Sequence, residues 1–140
     1  MRRRHDVPIL LRALAVWLII ISAETLHGIL RGLFLAPAVG EVRANQIGMP
    51  VGVFIILVIT LLLVRWIRAV EVKELLGIGA LWTVLTFIFE VVIGLYGRGY
   101  SWGRILAEYN LFDGGLMSIG LAFMLVCPLV AARLRGFVRT

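Results

Sequence analysis

Four long apolar runs alternate with short polar stretches along the chain, and each is close to the ~20 residues that cross ~30 Å of hydrocarbon. The first extends from about residue 8 to 34 and is broken by Arg12, Glu24, His27 and Arg31. The second, about 47–64, carries no charge, the third, about 75–96, carries only Glu90, and the fourth, about 114–132, is again uncharged. The runs are continuous rather than alternating, which predicts helices, and four strands could not close a barrel. The expected fold is therefore all-α: one domain over residues 1–140, an integral membrane bundle of four transmembrane helices.

The connections differ in character. "VRWIRAVEVKELL" is short and charged, enough to turn the second helix into an antiparallel third. Between the third and fourth spans, "SWGRILAEY" offers Ser101 as a cap, followed by Trp102, Ile105, Leu106 and Tyr109 at helical spacing. Arg104 and Glu108 form an i,i+4 pair on another face. This predicts a short amphipathic helix lying in the membrane interface.

Composition agrees: the chain is 61% hydrophobic and 16% charged, with a mean hydropathy of +1.03. A soluble domain of this size could not hide that much apolar surface, so the expected partner is the lipid bilayer. The net charge of +6 sits in loops and tails. No basic face is interleaved with stacking aromatics, so nucleic acid is not an expected partner. Cys127, the single cysteine, can form neither an internal disulfide nor a paired redox or metal motif. The basic start followed by an apolar run could imitate a signal peptide, but "SAE" is a poor cleavage sequence and the apolar run continues, so an uncleaved first helix is expected.

Arginine and lysine distribution predicts orientation. Arg2, Arg3, Arg4, Arg12, Arg65, Arg68, Lys73, Arg133, Arg135 and Arg139 lie at the termini and middle loop, against Arg31, Arg43, Arg98 and Arg104 in the other two loops. Ten against four places both termini in the cytoplasm, and a bacterial inner (plasma) membrane is the expected location.

The ionisable residues within the spans carry the candidate chemistry. At 100° per residue, Glu24, His27 and Arg31 share a sector of about 60°. A charge at mid-bilayer costs at least ~2.5–3.5 kcal/mol, so this stripe should face protein or water. Trp82, Thr86 and Glu90 form a second stripe. Arg43, Asn45 and Gln46 before the second span, and Asp113 before the fourth, fall at the same level. Together they predict a polar pocket on the outer side, built from Glu24, His27, Arg31, Arg43, Asn45, Gln46, Thr86, Glu90 and Asp113. Gly28 with Gly32, and Gly48 with Gly52, have the spacing that lets helices approach closely. A shift of 66 residues aligns Glu24 with Glu90, Gly28 with Gly94 and Gly48 with Gly114. A duplication of that kind would relate the halves by a twofold along the membrane normal.

Several roles fit this cluster. Buried ion pairs of Glu24 or Glu90 with Arg31 or Arg43, with Asp113 capping the fourth helix, would make the chain an accessory or structural subunit of a membrane complex, or a homo-oligomer. This is the leading expectation. An ion- or proton-coupled carrier would use Glu24, His27 and Glu90, although polarity fades beyond Thr86. A membrane enzyme would use Glu24 and His27 as base and acid, with Arg31 and Arg43 on an anionic headgroup. Ser22 and Ser118 lack the setting of a nucleophile, so the balance leans away from catalysis. The Glu24-x-x-His27 spacing supplies at most one metal site with Glu90, opposed by Arg31. Haem would need a second membrane histidine, and His5 lies on the other side. No cofactor is expected.

Overall fold

The computed structural model describes residues 8–109 and 116–138, and among them it is helical, with no strand. Helix α1 (Ile9–Leu30) continues through a π-turn (Arg31–Leu35) into the short α2 (Ala36–Val39). Then follow α3 (Glu41–Ile67), α4 (Val72–Val92) with a second π-turn (Ile93–Gly97), α5 (Trp102–Tyr109) and α6 (Met117–Arg135). Four stretches are long and apolar enough to cross a membrane: Ile9–Val39, Glu41–Ile67, Val72–Gly97 and Met117–Arg135. Leu18, Leu26, Phe54, Leu62 and Val84 point outward, as lipid-facing side chains do. The protein is an integral membrane four-helix bundle.

The helices are longer than the apolar runs that announce them. Where a loop is expected between residues 34 and 47, only Gly40 interrupts the helix, at φ +89°. A β-carbon is disfavoured there, so glycine makes the reversal from α2 into α3 in one residue. Hydropathy marks where lipid ends. Backbone hydrogen bonding carries Glu41, Arg43, Asn45 and Gln46 onward as helix. The π-turn at Arg31–Leu35 lies just before Pro37, whose ring would crowd the carbonyl of Leu33 in a regular α-helix. At the opposite end, Arg68 turns the chain in a left-handed conformation (φ +67°). A capping box of Glu71 and Glu74 then starts α4.

Around the bundle, α1 packs on α3, α3 on α6, α6 on α4, and α4 returns to α1. The glutamate-bearing helices α1 and α4 are thus neighbours. The halves would need to exchange α1 with α4 across a diagonal for a twofold along the normal, so the arrangement lacks the expected symmetry. Two tryptophans join the pair instead. Trp82 Nε1 donates to the Ala13 carbonyl at 2.9 Å, and Trp17 Nε1 donates to Thr86 Oγ1 at 3.0 Å.

Packing is uneven along the bundle axis. At the end marked by Arg68, Val16, Ile20, Val64, Ile67, Leu75, Trp82 and Cys127 form a closed core. Gly79 brings α4 against the backbone carbonyl of Leu125 on α6, where a β-carbon would overlap it. Arg12, buried at this end, donates from its guanidinium to the Trp66 carbonyl at 3.3 Å and lies over the Trp66 ring. It caps the last turn of α3 rather than lying free in a loop. At the end marked by Gly40, glycines replace bulky side chains on the inner faces, and the bundle opens.

The amphipathic helix α5 starts as expected, with Ser101 Oγ accepting from the Arg104 backbone N–H at 3.2 Å. Its apolar stripe divides, however. Ile105 is buried against Gly94, while Trp102 and Leu106 stay exposed. The Tyr109 and Glu108 side chains lie outside the described part.

Candidate functional site: a cleft within the bundle

Helix α1 supplies a polar edge because Glu24, His27 and Arg31 recur at one turn or two, all half-buried. Helix α3 faces them with glycine. A β-carbon at Gly48 would stand 2.9 Å from Arg31 Cδ and 3.5 Å from His27 Cε1, and one at Gly52 would stand 3.0 Å from Glu24 Oε2. The glycine pair therefore does not serve bare backbone contact, as its spacing suggests. It makes room for three ionisable side chains. The other pair has no such role: among the described residues nothing lies within 4 Å of a β-carbon at Gly28 or Gly32.

Between these helices and α4 and α6 lies a cleft of about 240 Å³. Its polar lining includes Glu24, His27, Arg31, Asn45, Thr86 and Glu90. Its apolar lining includes Met49, Phe89, Met117 and Leu121, and it ends on Ile21, Ile56 and Met124, where the packed core begins. Thr86 is tied into that floor, accepting from Trp17 and approaching Met124 Sδ at 3.0 Å. The cleft thus has carboxylates and imidazole at mid-depth over an apolar base.

Arg43 and Gln46 are exposed and do not line it. Arg43 is nine residues before Gly52, which places it on the opposite face of α3, and Gln46 is turned about 120° away. A polar residue near a helix start has the right depth, but helical phase decides its direction. Asp113 lies outside the described residues.

The expected ion pair of Glu24 with Arg31 or Arg43 does not form; Lys73 with Glu71, 3.4 Å apart on the surface, is the pair seen among the described residues. Glu24 Oε1 is buried without a hydrogen-bond partner, within electrostatic reach of both Glu90 and Arg31. Burying an unsatisfied carboxylate oxygen is costly, so the cleft holds an unfilled acceptor. The single-metal arrangement of Glu24, His27 and Glu90 does not assemble: no group of three His, Cys, Asp or Glu side chains suited to a metal ion gathers among the described residues. Ser22 Oγ donates to the Leu18 carbonyl at 2.7 Å on the exposed side of α1, away from the cleft.

Sequence reasoning leaves Arg98 out of the pocket, yet it lines the cleft and a second, more polar cavity of about 390 Å³ beside it. Arg31 and Asn45 border both, and the second cavity adds Glu41, Tyr100 and Arg104. The one sequence signal for Arg98 is its place directly after the glycine that ends the third span. Compared with known proteins, the chain matches no family model, and no curated protein or solved structure is significantly similar to it.

Proposed function

We propose that the chain is a small membrane protein whose role is to bind a ligand inside the bundle, in the cleft between α1, α3, α4 and α6. The ligand carries a cationic or hydrogen-bond-donating group for Glu24 and an apolar body for Phe89 and the methionines. The observation that carries this reading is that Glu24, whose buried Oε1 has no hydrogen-bond partner, lines a preformed cleft. A structural brace would leave no such acceptor open, because an unmet buried acceptor costs about 1–3 kcal/mol with no return in stability. Binding is better supported than conduction, since the cleft stops on Ile21, Ile56 and Met124 instead of continuing through the core.

A primary aralkylamine such as phenethylamine is a suitable probe. Saturable quenching or shift of tryptophan fluorescence is expected in the parent, with loss in Glu24→Gln. Equal binding by both proteins, or binding by neither, overturns the reading.

A second reading, a homo-oligomer or a subunit of a larger membrane complex, draws support from the spans themselves, each with under a third of its most apolar stretch buried within the chain, which leaves wide apolar faces for other helices as well as lipid. Mass measurement after extraction in mild detergent tests it: a lone monomer removes it. In either case the proposed setting is a bacterial inner membrane with cytoplasmic termini, which turns the open end of the bundle outward.

A further inference from the structure

The polar cavity beside the cleft has a charge pattern of its own. Arg31, Arg98 and Arg104 border it, and Glu41 is the one carboxylate among its described lining residues. None of the three guanidinium groups is ion-paired among the described residues. Two of them are held in place by one ring. Arg104 stacks 3.9 Å from the Tyr100 centroid and donates to Tyr100 Oη at 3.2 Å, while Arg98 lies 5.8 Å from the same centroid. The third is fixed from the other side, because the Arg31 stem runs across Gly48 where any β-carbon would block it. Arg104 borders the cavity together with Arg31 and Arg98.

Three guanidinium groups against one carboxylate leave the described lining with a net positive charge, which a bound anion offsets. Guanidinium forks match the oxygens of a phosphate, and two are already oriented, so little side-chain entropy remains to be lost on binding. The first turn of α3 borders the same cavity without a side-chain cap, which adds favourable backbone dipole. The cavity lies beside the interfacial helix α5, whose exposed Trp102 and Leu106 mark headgroup depth. We infer that this vestibule, lined by Arg31, Arg98, Arg104 and Tyr100, is a binding site for a phosphate group, supplied by an anionic phospholipid headgroup or by a phosphorylated solute. It does not rest on the amine-binding reading of the cleft: it shares Arg31 and Arg98 with that cleft but uses neither of its carboxylates.

The test uses the full chain in a neutral detergent, titrated separately with phosphatidylglycerol, phosphatidylcholine and inorganic phosphate, following thermal unfolding. Phosphatidylglycerol is expected to raise the midpoint saturably and phosphatidylcholine much less. The double variant Arg98→Gln/Arg104→Gln should weaken the apparent affinity about tenfold or more. Arg43→Gln, which removes an exposed arginine outside the cavity, should leave it unchanged. A saturable effect of inorganic phosphate, lost in the same double variant, assigns the site to a solute; an effect of the lipid alone assigns it to a headgroup. If the double variant does not fold, Tyr100→Leu, which releases both guanidinium groups, serves in its place. No saturable response to either phosphate source, or an equal loss in Arg43→Gln, overturns the inference.

Discussion

The Glu24 carboxylate of α1 rests on Gly52 of α3, with Oε2 3.0 Å from the position a β-carbon would take there. An alanine at Gly52 presses on the far end of a flexible side chain, which can swing away. Gly52→Ala is therefore expected to change stability by less than about 1 kcal/mol, yet to weaken aralkylamine binding by moving the acceptor. Gly52→Leu should fill the cleft and abolish binding. Titration by tryptophan fluorescence, alongside thermal unfolding in detergent, separates the two effects.

Gly79 is the opposite case. Its missing β-carbon is replaced by the Leu125 backbone carbonyl of α6, and a helix backbone cannot swing aside. Gly79→Ala must push α4 from α6 and should cost at least about 2 kcal/mol, near the upper range for overpacking. A clear fall in the unfolding midpoint, well beyond that of Gly52→Ala, is the expected measurement. Equal midpoints for the two variants would contradict the close approach.

Glu24→Gln tests whether the buried carboxylate supports the fold. Among the described residues no arginine forms an ion pair with it, and one oxygen has no hydrogen-bond partner. Replacing it removes an expensive group without orphaning a cation, so the variant should be as stable as the parent or more so. A loss of about 3 kcal/mol or more, the usual result of breaking a buried pair, would mean that Glu24 is structural.

Trp82 is fully buried and its indole donates to Ala13, whereas Trp17 is only half-buried and donates to a side chain. Trp82→Phe should cost about 1–3 kcal/mol from lost packing and hydrogen bonding. Trp17→Phe should cost less, because Thr86 keeps its contact with Met124. Thermal unfolding of both variants ranks them, and the reverse order would contradict the packing.

Orientation is open to direct labelling. Arg43 and Gly103 are exposed at the open end, Lys73 at the other, and Cys127 is buried, so it should not react. With cysteine at each position in turn, an impermeant maleimide applied to intact cells should label positions 43 and 103 but not 73. Labelling at 73 alone would turn the cleft to the cytoplasm.

The span count, the helical class and the interfacial helix are set by local sequence. Length and continuity of apolar residues decide whether backbone can leave water, and that needs no knowledge of neighbours. The stripe of Glu24, His27 and Arg31 is equally local, because helical phase alone puts those side chains on one face. Tertiary structure decides what they meet. Phase removes Arg43 and Gln46 from the cleft, but which face of α3 looks inward is set by packing against α1 and α6. Gly48 and Gly52 cradle side chains while Gly28 and Gly32 face open space, although the two pairs have the same spacing. The placement of α1 beside α4, and with it the loss of twofold symmetry, comes with Trp17 and Trp82 reaching across, while Gly79 sets the close approach of α4 to α6. Such contacts join residues distant in sequence, so no local pattern encodes them. The same holds for Arg31, Arg98 and Arg104, which become one cationic cavity only when α1, the end of α4 and α5 are folded against each other.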